Sequence, residues 1–441
     1  MIGLRAFADL QIHSRYSGAT STRMTLDELV YYADLKGIDL MGTGDALHPL
    51  WLKELTENTR EVSPGIYEYR GGGRVRFVTQ TEVATVHEYA GRVRKIHHVI
   101  LMPGLEVAEQ LSDSLRRYGN VESDGRPVLN VRPSELVEVV LQTDRRCYVF
   151  PAHAWTPWWS IFGAFSGVDS VYECYEDETD KIYAIETGLS SDPPMNWRVS
   201  ELDRFLLLSS SDSHSPYPYR IGREMVVLEV EELSYESVHA ALTRSSSASR
   251  IVMTVEVPPS YGKYHWSGHR ECGVGPLSPN EAKRVRYVCP KCGRRLTKGV
   301  EDRVEELADR PEGYRPDHAN DFVYLLPLQE LIALSRGEDP NTVNLMSKTL
   351  WTEYVKLVNA FSNEIQVLLE APIEEIARLS GPVLAKVIEM MRRNELRVIP
   401  GFDGVYGRLE LPAPLKSSQK RRSSEPRSRR GHTSTLDEYR V

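Results

Sequence analysis

Residues 205–208, FLLL, form an apolar run that ends in SSSDSHSP, setting Asp212 and His214 two positions apart. If the strand persists, period-two geometry points both side chains the same way. A carboxylate and an imidazole converging at a strand's C-terminal end suit a metal ion, and that end is where barrel folds keep their chemistry. The alternative is an Asp and a His in an ordinary turn. Other apolar runs also carry polar residues at their ends: His13 in AFADLQIH, Asp45 in GTGD, Glu82 in FVTQTEV, His98 at the head of HVILM and His153 in CYVFPAH. Imidazoles mixed with carboxylates suit Zn, Mn or Fe-type ions rather than Mg alone. Two or three divalent ions (Zn2+, Mg2+ or Mn2+) about 3.5–4 Å apart can activate water and grip both oxygens of a phosphoryl displacement. Glu82 is the expected bridge, and Glu82, Asp212 and His214 are the expected catalytic residues. Taken singly, each residue has a plainer reading. A buried His is usually just hydrogen-bonded, and Asp45 after Gly44 could cap a helix. Seven such residues at successive strand ends are hard to explain as caps.

The elements that must position this set follow from periodicity. Residues 6–13 read as a strand, 24–36 as a helix with Thr25 as cap and Gly37 as stop, and 38–41 as the next strand. Apolar runs recur at 77–83, 98–102, 147–153, 182–187 and 205–208, with helical segments between them. That alternation argues for a βα barrel or a doubly wound sheet. A barrel is preferred because the polar residues come from many strands, whereas a doubly wound sheet gathers ligands at one crevice. Residues 342–369 read as one long amphipathic helix and 383–393 as a second. There is no internal repeat.

Five cysteines are present, and three cluster at metal-type spacing. His269 and Cys272 form HxxC, and Cys289 and Cys292 form CxxC before a glycine. Two such knuckles make a closed structural Zn2+ site. His265 competes as fourth ligand. Apolar content of 41% and charged content of 26% are those of a soluble globular chain. No apolar run reaches the roughly 18 residues of a membrane span, and the N-terminus lacks the order of a signal peptide. A cytoplasmic place, with the chromosome and without a membrane partner, is expected. The net charge of -8 argues against a chain that coats nucleic acid broadly, while leaving room for a local basic groove.

In chain order, DLQIHS, GTGD, TEV, HHVI, PAH and SDSH resemble the polymerase-and-histidinol-phosphatase (PHP) superfamily of metal-dependent phosphoesterases. More narrowly, HSRYSGATS, YGKYHWSGHREC, CPKCGRRLTKGVEDRVEELADR and PGFDGVYG resemble the archaeal endonuclease Q family, to about residue 410. The resemblance implies an α/β fold. A distorted (β/α)7 PHP-type barrel would span 1–258, a zinc module 259–310, a mostly helical C-terminal domain 311–411 and a disordered basic tail 412–441. It implies hydrolysis of DNA on the 5′ side of deaminated bases (deoxyuridine, deoxyinosine) and abasic sites, with the damaged base flipped into a pocket. A small-phosphomonoester phosphatase and a catalytically inactive damage-binding protein are the alternatives. His13 matches the second histidine of the family's His-x-His motif, and Asp45, Glu82, His98, His153, Asp212 and His214 match later ligand positions. His97 and His98 compete for one place, and His98 is taken because it directly precedes the apolar run. Gln11 departs from the motif's first histidine. Its amide oxygen is a weaker ligand, so one ion would bind weakly or be held through Asp9.

Arg15, Tyr261, Phe402 and Tyr406 are expected at the DNA surface, the aromatics through stacking. The competing readings are a solvated arginine and a small local core. Residues 416–432 carry seven Lys and Arg and one acid, Glu425, which suits non-specific DNA attraction. The final TSTLDEYRV resembles a degenerate sliding-clamp-binding (PCNA-like) peptide, with Leu436 and Tyr439 three apart on one helical face.

Overall fold

The computed structural model describes residues 3–412. Seven strands close into a barrel: Leu4–Asp9, Leu40–Gly42, Arg76–Tyr89, Arg92–Met102, Tyr148–Pro151, Ala184–Glu186 and Leu206–Leu208. The first three pair in parallel, and Arg92–Met102 runs antiparallel to both of its neighbours. Ala184–Glu186 pairs in parallel with Leu206–Leu208. Backbone hydrogen bonds complete the ring, from Ala154 N–H to Glu186 O (2.9 Å) and from His13 N–H to Ser213 O (3.0 Å). The fold is therefore the seven-stranded α/β barrel implied by the resemblance. Its distortion is the antiparallel hairpin of strands three and four, joined by Ala90 and Gly91. Both turn residues have positive φ (50° and 71°), as the tight two-residue turns matching strand twist require.

The helix Leu26–Lys36 shows how sequence pattern becomes barrel wall. Leu26, Leu29, Val30 and Ala33 recur at helical spacing and are buried. Acidic Asp27 and Glu28 open it, Lys36 closes it, and Gly37 in the left-handed region returns its N–H to Ala33 O.

The sheet continues outside the barrel. Met225–Val230 runs antiparallel to Leu4–Asp9, Arg250–Glu256 follows it, and Asp321–Tyr324 adds in parallel at the edge. That last strand comes from beyond the Cys/His segment, so the chain returns to the barrel sheet before it enters the C-terminal helices. These helices are Leu328–Ser335, Lys348–Phe361, Glu364–Leu369, Ile373–Ser380 and Pro382–Arg392. The stretch read as one helix over 342–369 is two. Ser362 takes φ +76°, and the Asn363 side chain accepts from Gln366 N–H, starting a new helix. Among the described residues, no helix is long and apolar enough to cross a membrane.

Candidate functional site

At one end of the barrel, residues 11–13 and 211–214 are laced together. His13 N–H donates to Ser213 O, and Asp212 N–H donates to Gln11 O at 3.1 Å. Asp45, His153 and Asp212 all take positive φ (42°, 30° and 47°). For non-glycine residues this is strain of about 1–3 kcal/mol each, of the kind that gathers at functional sites. Gly188 leaves room for the His153 turn, since a Cβ there would lie 2.7 Å from His153 Cβ.

Two donor groups meet at Glu82. The first is Glu82, His97 and His153. Glu82 Oε1 lies 2.6 Å from His97 Nδ1 and 3.7 Å from His153 Nε2, and the two ring nitrogens are 3.1 Å apart. The second is His13, Asp212 and His214. His13 Nε2 lies 3.1 Å from Asp212 Oδ1 and 3.0 Å from Glu82 Oε2, which ties the two groups together. The His13 and His214 rings pack with centroids 4.4 Å apart. His214 Nδ1–H donates to Asp212 O at 2.9 Å, leaving its Nε2 with a lone pair. Thr156 Oγ1 at 3.0 Å engages His153 Nδ1 and frees Nε2 in the same way.

Both groups fit divalent metal ions by donor chemistry. Glu82 Oε1 is buried and has no well-aimed hydrogen bond, although an imidazole nitrogen stands 2.6 Å away. A carboxylate oxygen and an imidazole nitrogen that converge without a hydrogen bond between them are a donor pair that a shared cation would satisfy. The electrostatics agree. Burial works against charge on Glu82, yet His97 and Arg126 hold its carboxyl well below the usual range. Asp212 is likewise lowered against burial, chiefly by the hydrogen bond from His13 and the charge of His214. Burial drives His97 down to about 4, a neutral imidazole with a lone pair to offer.

The structure brings His13, Glu82, His153, Asp212 and His214 together and places two expected ligands elsewhere. His98 is a correction. In the antiparallel register Ala84 faces His97 and Val83 faces His98, so His97 shares the face of Glu82. His98 points into the core, where its ring meets Thr85 Oγ1 (2.9 Å) and Tyr175 OH (2.8 Å) and burial lowers its pKa to about 3. Asp45 is the second correction. Its Oδ2 accepts from Ser14 N–H, Ser14 Oγ and Ser17 Oγ, and its Oδ1 receives His13 Nδ1–H at 3.0 Å. Asp45 therefore aims His13 from behind rather than facing the donor groups.

Asp9 offers no substitute ligand, because its two oxygens accept from Ser211 N–H and Gly222 N–H. Gln11 turns its amide NH2 to Glu82 Oε2 at 2.7 Å, and its Oε1 is buried without a partner. The sequence reading missed Arg126, whose Nη1 lies 3.5 Å from Glu82 Oε1. Nothing in its neighbourhood, SDGRP, marks it, since it comes from a loop rather than a strand end.

His269, Cys272, Cys289 and Cys292 form one cluster. Cys292 Sγ and His269 Nδ1 are 3.4 Å apart. Burial would raise the Cys289 thiol, but the Cys292 and Lys291 amides bring it down to about 6, which favours the metal-binding thiolate. His265 is outside the cluster, half-buried and stacked on Trp266. The expected DNA contacts divide. Arg15 is paired with Glu54 at 2.5 Å. Phe402 packs on Gly268 and Gly275 within the Cys/His segment, so its ring serves that fold. Tyr261 and Tyr406 line a cavity of about 200 Å³ together with Arg220, Arg223, Glu330 and Asn341. Arg223 also donates to Ser211 O at 3.0 Å, so one side chain of the cavity wall reaches the segment that carries Asp212. Leu436 and Tyr439 lie outside the described residues.

A domain family described as the MJ0043 C-terminal domain matches residues 327–395. An uncharacterized protein of Methanocaldococcus jannaschii, MJ0043, is 34% identical over 260 residues, 59% of this chain and 31% of its own length. The chain thus spans about a third of that relative. The uncharacterized Bacillus subtilis protein YqxK is 31% identical over 424 residues, covering 92% of this chain and 99% of the relative. The crystal structure of the lesion-specific endonuclease PfuEndoQ from Pyrococcus furiosus matches with a TM-score of 0.82 at 34% identity, over 94% of this chain and 97% of that one. A crystal structure of endonuclease Q with a 27-mer duplex carrying an abasic lesion at the active site matches at 0.83, also at 34% identity, over 93% and 98%.

Proposed function

The chain belongs to the endonuclease Q family, and from that membership we propose that it is a metal-dependent DNA endonuclease that cuts beside damaged nucleotides. More specifically, it hydrolyses the phosphodiester on the 5′ side of deoxyuridine, deoxyinosine and abasic sites. The observation that carries this reading is the meeting of two donor groups on Glu82 at the barrel end. Divalent ions held there would generate a nucleophilic water and polarise the phosphodiester. The chain's own part is positional. Asp45 fixes the His13 tautomer, Thr156 fixes that of His153, and Glu82 links the groups.

The surroundings support a DNA substrate. The cavity walled by Arg223, Tyr261 and Tyr406 is several times the ~30 Å³ share of one water, and aromatic and polar walls suit an extruded base. The loop that carries Thr156 also presents Trp158 and Phe165, 41% and 38% exposed and stacked with centroids 4.9 Å apart. Exposed ring faces beside a cleft stack on unpaired bases. Residues 433–441 would tether the enzyme to a sliding clamp.

The test uses labelled duplexes with one deoxyuridine, deoxyinosine or abasic site beside an undamaged control, with Mg or Mn. A nick just 5′ of the lesion is expected, absent from the control and lost in Asp212→Ala. If no duplex is cut under any metal, the endonuclease reading fails.

A further inference from the structure

We propose that Arg126 grips the scissile phosphate, a role that rests on the endonuclease reading above. The loop at residues 123–127 is held on four sides. Asp124 accepts from Gly18 N–H (3.1 Å) and from Arg126 N–H (2.9 Å). Gly125 N–H donates to Tyr16 O, and Pro127 O accepts from Ala84 N–H, both at 3.0 Å. Gly125 touches the carboxylate that aims His13, since a Cβ there would lie 2.4 Å from Asp45 Oδ2. The loop is thereby pressed onto the site, and the next residue, Arg126, reaches over it.

The guanidinium is 3.5 Å from Glu82 Oε1 and has no side-chain hydrogen bond among the described residues. The Arg126 side chain keeps 26% of its surface exposed. Two other arginines of the region are engaged, Arg15 with Glu54 and Arg23 with Glu28 at 2.7 Å. Arg126 is thus a permanent cation with free N–H donors, fixed at the oxygen where two imidazoles also converge. A phosphodiester is a permanent anion with two non-bridging oxygens. The planar guanidinium matches them bidentately. As water attacks phosphorus and the leaving oxygen departs, negative charge builds on those oxygens, and a donor already in place stabilises it.

The experiment compares the full chain with Arg126→Ala and Arg126→Lys. Metal content, affinity for an abasic-site duplex with Ca2+ in place of Mn2+ and single-turnover nicking with Mn2+ are measured. In Arg126→Ala, metal content should change little and affinity should fall no more than about tenfold, the loss of one charge-assisted contact, while nicking falls about 10²–10³-fold. Lysine should restore only part, because it lacks the paired donors. A sulfur at one non-bridging position of the scissile phosphate should slow the parent protein and matter less in Arg126→Ala. Nicking at the parent rate would overturn the proposal. So would loss of metal in step with loss of activity, which would make Arg126 only a counter-charge for Glu82. If the parent binds metal but nicks no damaged duplex, the endonuclease reading falls, and this role falls with it.

Discussion

Glu82 Oε1 and His97 Nδ1 stand 2.6 Å apart across the long hairpin of the barrel, while His98, one residue on, faces the opposite side. The two histidines should therefore fail differently. His97→Ala should lose bound metal and nicking, by more than the 10–100-fold that outer-shell changes cost. His98→Ala should keep its metal and lose about 1–3 kcal/mol of stability, because the Thr85 and Tyr175 hydroxyls lose a buried partner. Metal analysis and urea unfolding of both variants separate these outcomes. Equal metal loss in the two would contradict the register argument.

Asp45 acts through His13. Asp45→Asn keeps the volume and loses the carboxylate that holds the Nδ1 proton, so His13 can present the wrong tautomer. Metal affinity should drop about 10–100-fold with little change in unfolding. Titration of the ion-free protein with Mn2+ reads this directly. Unchanged affinity would mean that the Ser17 hydroxyl, 3.1 Å from His13 Nδ1, suffices to orient the ring.

The barrel was legible because its strands are apolar runs that end in polar groups. The sequence also showed five residues of the donor groups: His13, Glu82, His153, Asp212 and His214. What it hid was direction. His97 and His98 are adjacent, and only the pairing of Ala84 with His97 decides which faces inward. Asp45 reads as a ligand until its oxygens are seen to accept from Ser14 and Ser17. Arg126 carries no periodic signal, because its position depends on a loop packed against residues more than a hundred positions earlier, such as Gly18. The helix break at Ser362 was hidden as well, since the apolar period runs through it.

The Cys/His cluster should behave as a closed structural site. Its surroundings are a small core of Val274, Cys289 and Leu296, too few apolar groups to hold the segment alone. One zinc per chain is expected there, and Cys289→Ser should release it and lower the thermal midpoint. The segment positions residues 401–407, where Gly401 O accepts from Trp266 N–H and Arg270 N–H donates to Asp403. Affinity for damaged duplex should therefore fall with zinc content. A variant that keeps its affinity after losing the zinc would separate the cluster from DNA binding.

Lys36 joins three parts of the molecule. Its ammonium donates to Glu364 Oε1 at 2.8 Å, on a C-terminal helix, and to Pro218 O at 2.8 Å, in the loop that follows His214. Glu364 is fully used, accepting also from Leu328 N–H and Tyr354 OH, both at 2.9 Å. Neither partner reaches water, so the Coulomb gain is set against a desolvation cost of similar size. Removing one partner is a different matter. Lys36→Met leaves a buried carboxylate without its counter-charge and should cost about 3–5 kcal/mol. Lys36→Met combined with Glu364→Gln should recover much of that loss, because the charge is gone and the amide oxygen can still accept. If the double variant recovers stability yet nicks slowly, the ion pair is needed to hold the His214 loop against the helices. If it recovers both, the pair contributes only to folding. Urea unfolding and single-turnover nicking of the two variants beside the parent distinguish the cases.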